Sequence, residues 1–163
     1  MPSIPPVFLA TAIEAVIRAG DIQMAHFGQA MRIDKKGAID LVTEVDLAVE
    51  RGFRATIAGR FPDHVVLGEE FESAGDRDAL PRHCWVFDPV DGTTNFAHGL
   101  PIFCSSLALE IEGVPSVAAI YDPTRRELFT AVSGEGAWLN GAPLRVSNAA
   151  TNDRSVDEPS WSW

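Results

Sequence analysis

The chain has 163 residues, of which 46% are hydrophobic and 22% charged, values typical of a globular domain with a hydrophobic core and not of a disordered protein. Its formal net charge of −10 argues against binding to nucleic acid, because an acidic surface repels the phosphate backbone. No apolar run approaches the roughly 18 residues of a membrane span, and no basic run precedes the first apolar residues as in a signal peptide. We therefore expect no nucleic-acid partner and no membrane partner.

The first predicted element is a helix after Pro5-Pro6. Its apolar residues recur with helical spacing, and Gly28 closes the run: Leu9, Ile13, Val16, Ile17, Met24 and Phe27. The polar stretch with Lys35, Lys36 and Gly37 predicts a loop or a short hairpin.

A second helix is predicted from about Thr43 to Pro62. Thr43 and Asp46 match a capping box in outline. The apolar stripe advances four residues at a time: Val45, Val49, Phe53, Ile57 and Phe61.

Beyond Pro62 the pattern becomes that of strands. Short apolar runs at 64–67 and 85–87 each end in acidic residues, and the polar residues 72–83 between them predict a surface loop. Strands are predicted at 103–111, 114–121 and 128–132, and Asn140-Gly141 predicts a tight hairpin turn. The predicted fold class is α+β, with layered helices packed on a mostly antiparallel sheet.

The two cysteines, Cys84 and Cys104, are too few for a disulfide framework and lack metal-ligand spacing. Both lie in apolar runs. We expect buried free thiols in a reducing cytoplasm.

The most informative segment is Trp85 through Phe96. An apolar strand is expected to deliver Asp88 at its end, and Asp91 follows three residues later, so both carboxylates can face one point. Gly92 allows close approach of the backbone to a ligand and leaves the amides of Gly92 and Thr93 available to an anion. Carboxylates that bind hard cations beside backbone donors for phosphate favour phosphoryl-transfer chemistry.

Two further acidic clusters are weak signals alone. Gly68-Glu69-Glu70 follows a predicted strand, and Asp46 in a first helical turn needs no function, because it interacts favourably with the helix dipole. Together with Trp85–Phe96 and residues 134–141, however, these clusters resemble the inositol monophosphatase family of Mg²⁺-dependent, Li⁺-sensitive phosphatases, over about residues 7–147.

The resemblance implies a set of roles for individual residues. The expected Mg²⁺ ligands are Glu69, Asp88, Asp91 and the backbone carbonyl of Val90, with Glu69 also counted as catalytic. Asp46 and Thr93 are expected to orient and activate the attacking water. Substrate contacts are expected from Asp91, Gly92 and Thr93, with weaker assignments for Lys35, Lys36, Thr94 and Asn95.

Family members continue beyond the length of this chain. Their second half supplies an aspartate that completes the metal site, much of the substrate pocket and a second sheet. The expected organisation is an N-terminal portion of the family domain over residues 1–147. Residues 148–163, which lack any hydrophobic period, are expected to be disordered or not native to the fold.

The implied activity is hydrolysis of a small phosphate monoester, with myo-inositol 1-phosphate as the leading substrate and Mg²⁺ as cofactor. Histidinol phosphate is the nearest alternative, favoured slightly by Gly68 through Phe71, and nucleotide or sugar phosphates stay open. A catalytically inactive remnant that binds metal or protein is the alternative from another class. The family is commonly dimeric, so a homodimer is a further expectation.

Overall fold

The computed structural model describes residues 4–28, 33–36, 40–68 and 81–146, with the backbone alone for 33–36 and 40–43. The helices are α1 (Pro6–His26), α2 (Glu44–Arg60) and α3 (Thr93–Ala97). The strands are β1 (Ile33–Lys36), β2 (Asp40–Thr43), β3 (Val65–Gly68), β4 (His83–Asp91), β5 (Cys104–Ile111), β6 (Val114–Asp122), β7 (Glu127–Val132), β8 (Gly136–Leu139) and β9 (Ala142–Pro143).

The strands of the described chain form one large sheet and one hairpin. β1 and β2 pair antiparallel, which confirms the short hairpin predicted around Lys35-Lys36. The large sheet has the order β3-β4-β5-β6-β7-β8-β9. Its pairs are antiparallel except for β3 with β4. The predicted α+β class, with helices on a mostly antiparallel sheet, is confirmed.

The helices α1 and α2 pack on one face of this sheet and form the core with it. The predicted stripe of α2 is buried at Val45, Val49, Phe53 and Ile57, all in the core cluster. Phe53 contacts the inward residues of β4, Trp85 and Phe87. No helix in the described ranges has the length and apolar character needed to cross a bilayer.

The tight turns follow their sequence signals. Asn140 (φ 49°) and Gly141 (φ 80°) adopt the positive φ angles that a two-residue hairpin requires. Glu112 (φ 53°) and Gly113 (φ 75°) do the same between β5 and β6. These turns fix the register of the strands that follow them.

Two expectations need correction. Asp88 does not follow its strand but lies inside it, because β4 continues to Asp91. Cys84 is a buried free thiol as expected, whereas Cys104 is a free thiol only partly buried at the start of β5. The predicted surface loop at 72–83 falls outside the described residues up to 80, and His83 already belongs to β4.

Candidate functional site

A β-bulge in β4 shapes the candidate site. Asp88 pairs with Ser106 and Asp91 with Cys104, so Pro89 and Val90 together oppose the single residue Ser105. Such a bulge bends the strand and redirects its side chains. It also explains how two carboxylates three residues apart can both belong to the end of one strand.

Hydrogen bonds within the bulged segment (residues 88–93) fix its backbone. The amide of Val90 donates to Oδ1 of Asp88 at 3.1 Å. The hydroxyl of Thr93 donates to the Val90 carbonyl at 2.8 Å. Asp88, Val90 and Thr93 therefore form one hydrogen-bonded unit.

Within the bulged segment, Gly92 adopts a backbone conformation that favours glycine. Its φ is +94°, and a Cβ at this position would lie 2.8 Å from the Ile102 carbonyl oxygen. The backbone at Gly92 therefore packs directly against the segment that leads into β5. A side chain here would force the two segments apart.

The short helix α3 follows Gly92 and was not expected from the sequence. Asn95 donates from Nδ2 to the Ile102 carbonyl at 2.8 Å, so its amide side chain connects α3 to the chain before β5. Thr94 is exposed, and its carbonyl accepts a hydrogen bond from the His98 ring. In the structure Asn95 therefore has a structural role.

The carboxylates of Asp88 and Asp91 act on a common neighbour, Cys104. The thiol of Cys104 donates to Oδ2 of Asp91 at 3.8 Å. Burial raises the pKa of the Cys104 thiol to about 11, and the negative charges of Asp91 and Asp88 contribute to the same shift. Both negative charges therefore disfavour the thiolate of Cys104, which is the nucleophilic form of cysteine.

A buried polar network lies beneath the bulged segment. Gln23 of α1 donates from Nε2 to the Pro89 carbonyl at 2.7 Å and to Oγ of Ser105 at 2.9 Å. The Ser105 hydroxyl donates to the same Pro89 carbonyl at 2.8 Å. Both polar side chains are fully buried.

The sequence contained a signal for this network, namely two polar residues at positions where the pattern of the element is apolar. Gln23 continues the buried stripe of α1 after Val16 and Ala19. Ser105 alternates with the buried Phe103 and Leu107. A polar residue at an apolar position needs a hydrogen-bond partner, and two such residues are candidates to meet.

Asp46 lies in the first turn of α2 and is half-buried. β2 runs directly into α2 and contacts α3, so the N-terminal turn of α2 is on the α3 side of the molecule. Glu69 lies outside the described residues, as do the side chains of Lys35 and Lys36. β3 ends at Gly68, which pairs with Phe87, the residue before Asp88.

The chemistry of this arrangement is that of hard oxygen donors. It presents the carboxylates of Asp88 and Asp91 and the carbonyl of Val90 within one fixed segment. Oxygen ligands of this kind suit Mg²⁺ or Ca²⁺. Within the described residues no group of three or more His, Cys, Asp or Glu side chains is close enough to hold a metal by itself.

Comparison with known proteins decides the family. The model of the "Inositol monophosphatase family" matches residues 6–162. The chain belongs to the inositol monophosphatase family. Inositol monophosphatase 1 of Solanum lycopersicum is 45% identical over 150 residues, which cover 91% of this chain and 55% of the relative.

Solved structures of the family share the fold. An IMPase of Thermotoga maritima aligns with a TM-score of 0.77 at 35% identity and covers 87% of this chain and 54% of its own. A structure described as an IMPase/NADP phosphatase complexed with NADP and Ca²⁺ aligns with a TM-score of 0.79 at 27% identity, over 91% of this chain and 56% of its own. The chain thus spans about half the length of these relatives.

Members of this inositol monophosphatase family are metal-dependent phosphatases that act on small phosphorylated substrates. The family match also extends into residues 148–163, where the assignment of a non-native tail stays a prediction.

Proposed function

We propose that the chain contributes to Mg²⁺-dependent hydrolysis of a small phosphate monoester, with myo-inositol 1-phosphate as the favoured substrate. The observation that carries the proposal is the bulged segment. It holds Asp88, the Val90 carbonyl and Thr93 in one hydrogen-bonded unit, in a chain that belongs to a phosphatase family.

The residues proposed to hold the metal are Asp88, Asp91, Glu69 and the Val90 carbonyl. Their donor atoms are hard oxygens, which fit Mg²⁺. Glu69 is included because the family resemblance assigns it as a ligand. Gly68, the last residue of β3, pairs with Phe87, the residue before Asp88.

The chain's own groups have distinct proposed tasks. Asp46 accepts a proton from the attacking water, and Thr93 orients that water while its hydroxyl is positioned by the Val90 carbonyl at 2.8 Å. The backbone amides of Gly92 and Thr93 bind the phosphate oxygens. When bound, Mg²⁺ supplies positive charge that stabilises the negative charge developing on the phosphate and the leaving oxygen.

The remaining proposals concern the alternative substrates, the cellular location and the oligomeric state. One solved relative is described as an IMPase/NADP phosphatase, which keeps nucleotide phosphates open as substrates. Histidinol phosphate stays the nearest alternative because of the sequence Gly68 through Phe71. A cytoplasmic location is proposed on the two free thiols, and a homodimer on the resemblance.

A measurement of phosphate release distinguishes the two candidate substrates from each other and from an inactive chain. The purified chain is incubated with myo-inositol 1-phosphate or histidinol phosphate, each with and without Mg²⁺. Faster Mg²⁺-dependent release from the inositol ester supports the proposal, and faster release from histidinol phosphate overturns the substrate assignment. Calorimetric Mg²⁺ binding without turnover of either ester identifies an inactive, metal-binding remnant. Asp46→Asn is expected to reduce release by about 10²–10⁴-fold while the chain still binds Mg²⁺.

A further inference from the structure

Because of the bulge in β4, the Pro89 carbonyl lies where the hydrogen-bond ladder between β4 and β5 is interrupted. Pro89 and Val90 share one opposing residue, so the ladder between β4 and β5 is interrupted there. Pro89 is buried. A buried carbonyl outside a ladder must find other donors, because an unsatisfied one costs about 1–3 kcal/mol.

Gln23 and Ser105 supply those donors from two different elements. The Gln23 amide at 2.7 Å and the Ser105 hydroxyl at 2.8 Å together occupy both lone pairs of the Pro89 oxygen. The third side of the triangle is the 2.9 Å bond from Gln23 to Ser105, which orients the hydroxyl. The Pro89 carbonyl is therefore held toward α1 and the core.

The direction of the Pro89 carbonyl determines the direction of the Val90 amide. Peptide planes are rigid, so fixing the carbonyl of Pro89 also fixes the amide of the same peptide unit. The Val90 amide belongs to the same peptide plane, and it donates to Asp88 Oδ1 at 3.1 Å. The inward carbonyl of Pro89 and the outward carboxylate of Asp88 are thus coupled through a single plane.

We infer that Gln23 and Ser105 are positioning residues for the metal-binding segment, and this inference rests on the proposed function of Asp88, Val90 and Asp91 as Mg²⁺ ligands. They touch neither metal nor substrate. They act through the Pro89 peptide, as hydrogen-bond partners behind metal ligands commonly do.

Ser105→Ala and Ser116→Ala form a matched pair of variants. Ser116 is also a buried serine on the same sheet, and its hydroxyl donates to the Val114 carbonyl at 2.9 Å, away from the bulge. Each variant loses one buried hydroxyl that donates to a backbone carbonyl. Of the two variants, only Ser105→Ala removes a hydrogen-bond donor to the Pro89 carbonyl.

Two further variants keep the comparison interpretable. Ser105→Thr retains the hydroxyl and is expected to retain affinity. Gln23→Met has a similar shape without donors, and it tests the other arm of the network. Thermal melting of every variant shows whether it is folded under the conditions of the titration.

The measurement is calorimetric titration of the full chain with Mg²⁺. We expect the dissociation constant to rise on the order of tenfold in Ser105→Ala and Gln23→Met, and to stay within about twofold of the starting chain in Ser116→Ala and Ser105→Thr. Unchanged affinity in Ser105→Ala and Gln23→Met, or equal losses in Ser105→Ala and Ser116→Ala, would overturn the positioning role. Absence of Mg²⁺ binding in the unsubstituted chain would overturn the proposed metal site itself, and this inference with it.

Discussion

At the scale of single residues, Gly92 is the position where backbone geometry and packing coincide. Its φ of +94° already disfavours any side chain, and its missing Cβ leaves room for the Ile102 carbonyl at 2.8 Å from the ideal Cβ position. A substitution of Gly92 therefore has two independent costs, backbone strain and a steric clash. Comparison with a glycine that has a positive φ but no close neighbour separates the two.

Gly134 provides that comparison, because its φ is +79° and no atom lies within 4 Å of its ideal Cβ. We expect Gly134→Ala to lower the free energy of unfolding by about 1 kcal/mol and Gly92→Ala by about 2–4 kcal/mol. Urea denaturation of the two variants measures the difference. Equal losses would show that the contact with Ile102 contributes nothing.

Histidines 64 and 83 form a second residue-scale feature. Their rings stack with centroids 4.3 Å apart, and the Trp85 indole donates to Nδ1 of His64 at 3.0 Å. Since an indole nitrogen can only donate, Nδ1 of His64 is unprotonated. Burial lowers the pKa of His64, with His83 adding to the shift, and burial likewise lowers the pKa of His83.

These shifts predict the sign of an acid dependence. When the folded-state pKa lies below the unfolded value of about 6.5, the unfolded chain binds protons first as pH falls. The free energy of unfolding should therefore decline as pH falls from about 7 through that unfolded pKa, although Asp63 and Glu112 oppose the two shifts.

Urea denaturation at pH 7 and pH 5.5 tests the histidine pair. We expect the decline to be smaller in the double variant His64→Gln/His83→Gln. The single variant His98→Gln, at an exposed histidine in another part of the chain, serves as control. An undiminished decline in the double variant would assign the acid dependence to other groups.

At the scale of elements, two glycines in helices make opposite predictions. In α1, Gly20 faces β6, and a Cβ there would lie 2.6 Å from the Tyr121 ring. In α2, Gly52 has no atom within 4 Å of its ideal Cβ position. The first glycine is required for the close approach of α1 to the sheet, and the second only weakens its helix.

Gly20→Ala is expected to lower the free energy of unfolding by about 1–3 kcal/mol through overpacking. Gly52→Ala is expected to raise it by about 0.5–1 kcal/mol, because alanine favours the helix. Urea denaturation gives both values. Stabilisation by both substitutions would mean that the α1–β6 contact adapts without cost.

The elements also show what could be predicted from the sequence. The spacing of Val45, Val49, Phe53 and Ile57 predicted α2, and Asn140-Gly141 predicted the hairpin between β8 and β9. Each of these signals is local, because its residues are close to one another in the sequence. The network joins Gln23 to Ser105, which are 82 positions apart in the chain. The bulge in β4 is defined by its pairing with another strand, β5. A local pattern shows that Gln23 is a polar residue in an apolar stripe, but not which strand it meets.

The candidate site shows the same difference between local and long-range signals. The resemblance nominated Asp88, Asp91 and Thr93 from a contiguous motif, and the structure joins Asp88 to Thr93 through Val90. Whether Asp46 and Glu69 complete the set stays a prediction. Asn95 was nominated as a weak site residue, and the hydrogen bond it donates to Ile102 became visible only with the fold.

At the scale of the whole molecule, the sheet has one face covered by α1 and α2 and another that carries exposed apolar side chains. Val86, which alternates with the buried Trp85 and Phe87, is 41% exposed, and Ile120 is 38% exposed. Exposed apolar surface of this kind promotes association.

We therefore expect the chain to self-associate. Sedimentation velocity should detect oligomers whose fraction falls in the double variant Val86→Thr/Ile120→Thr. Val7→Thr, at an apolar residue 48% exposed on α1, is the matched control and should leave the oligomer fraction unchanged. A monomeric chain at micromolar concentration would contradict the expectation.

We propose that the bulged segment binds Mg²⁺ for phosphate ester hydrolysis. Phosphate release from myo-inositol 1-phosphate tests this proposal, measured for the chain and for Asp91→Asn, each with and without Mg²⁺ and each shown by thermal melting to be folded. We expect release that requires Mg²⁺ and falls at least about 10²-fold in Asp91→Asn, since a neutral amide is a poor ligand for a hard cation. Release that is independent of Mg²⁺, or equal in the two chains, would overturn the proposal.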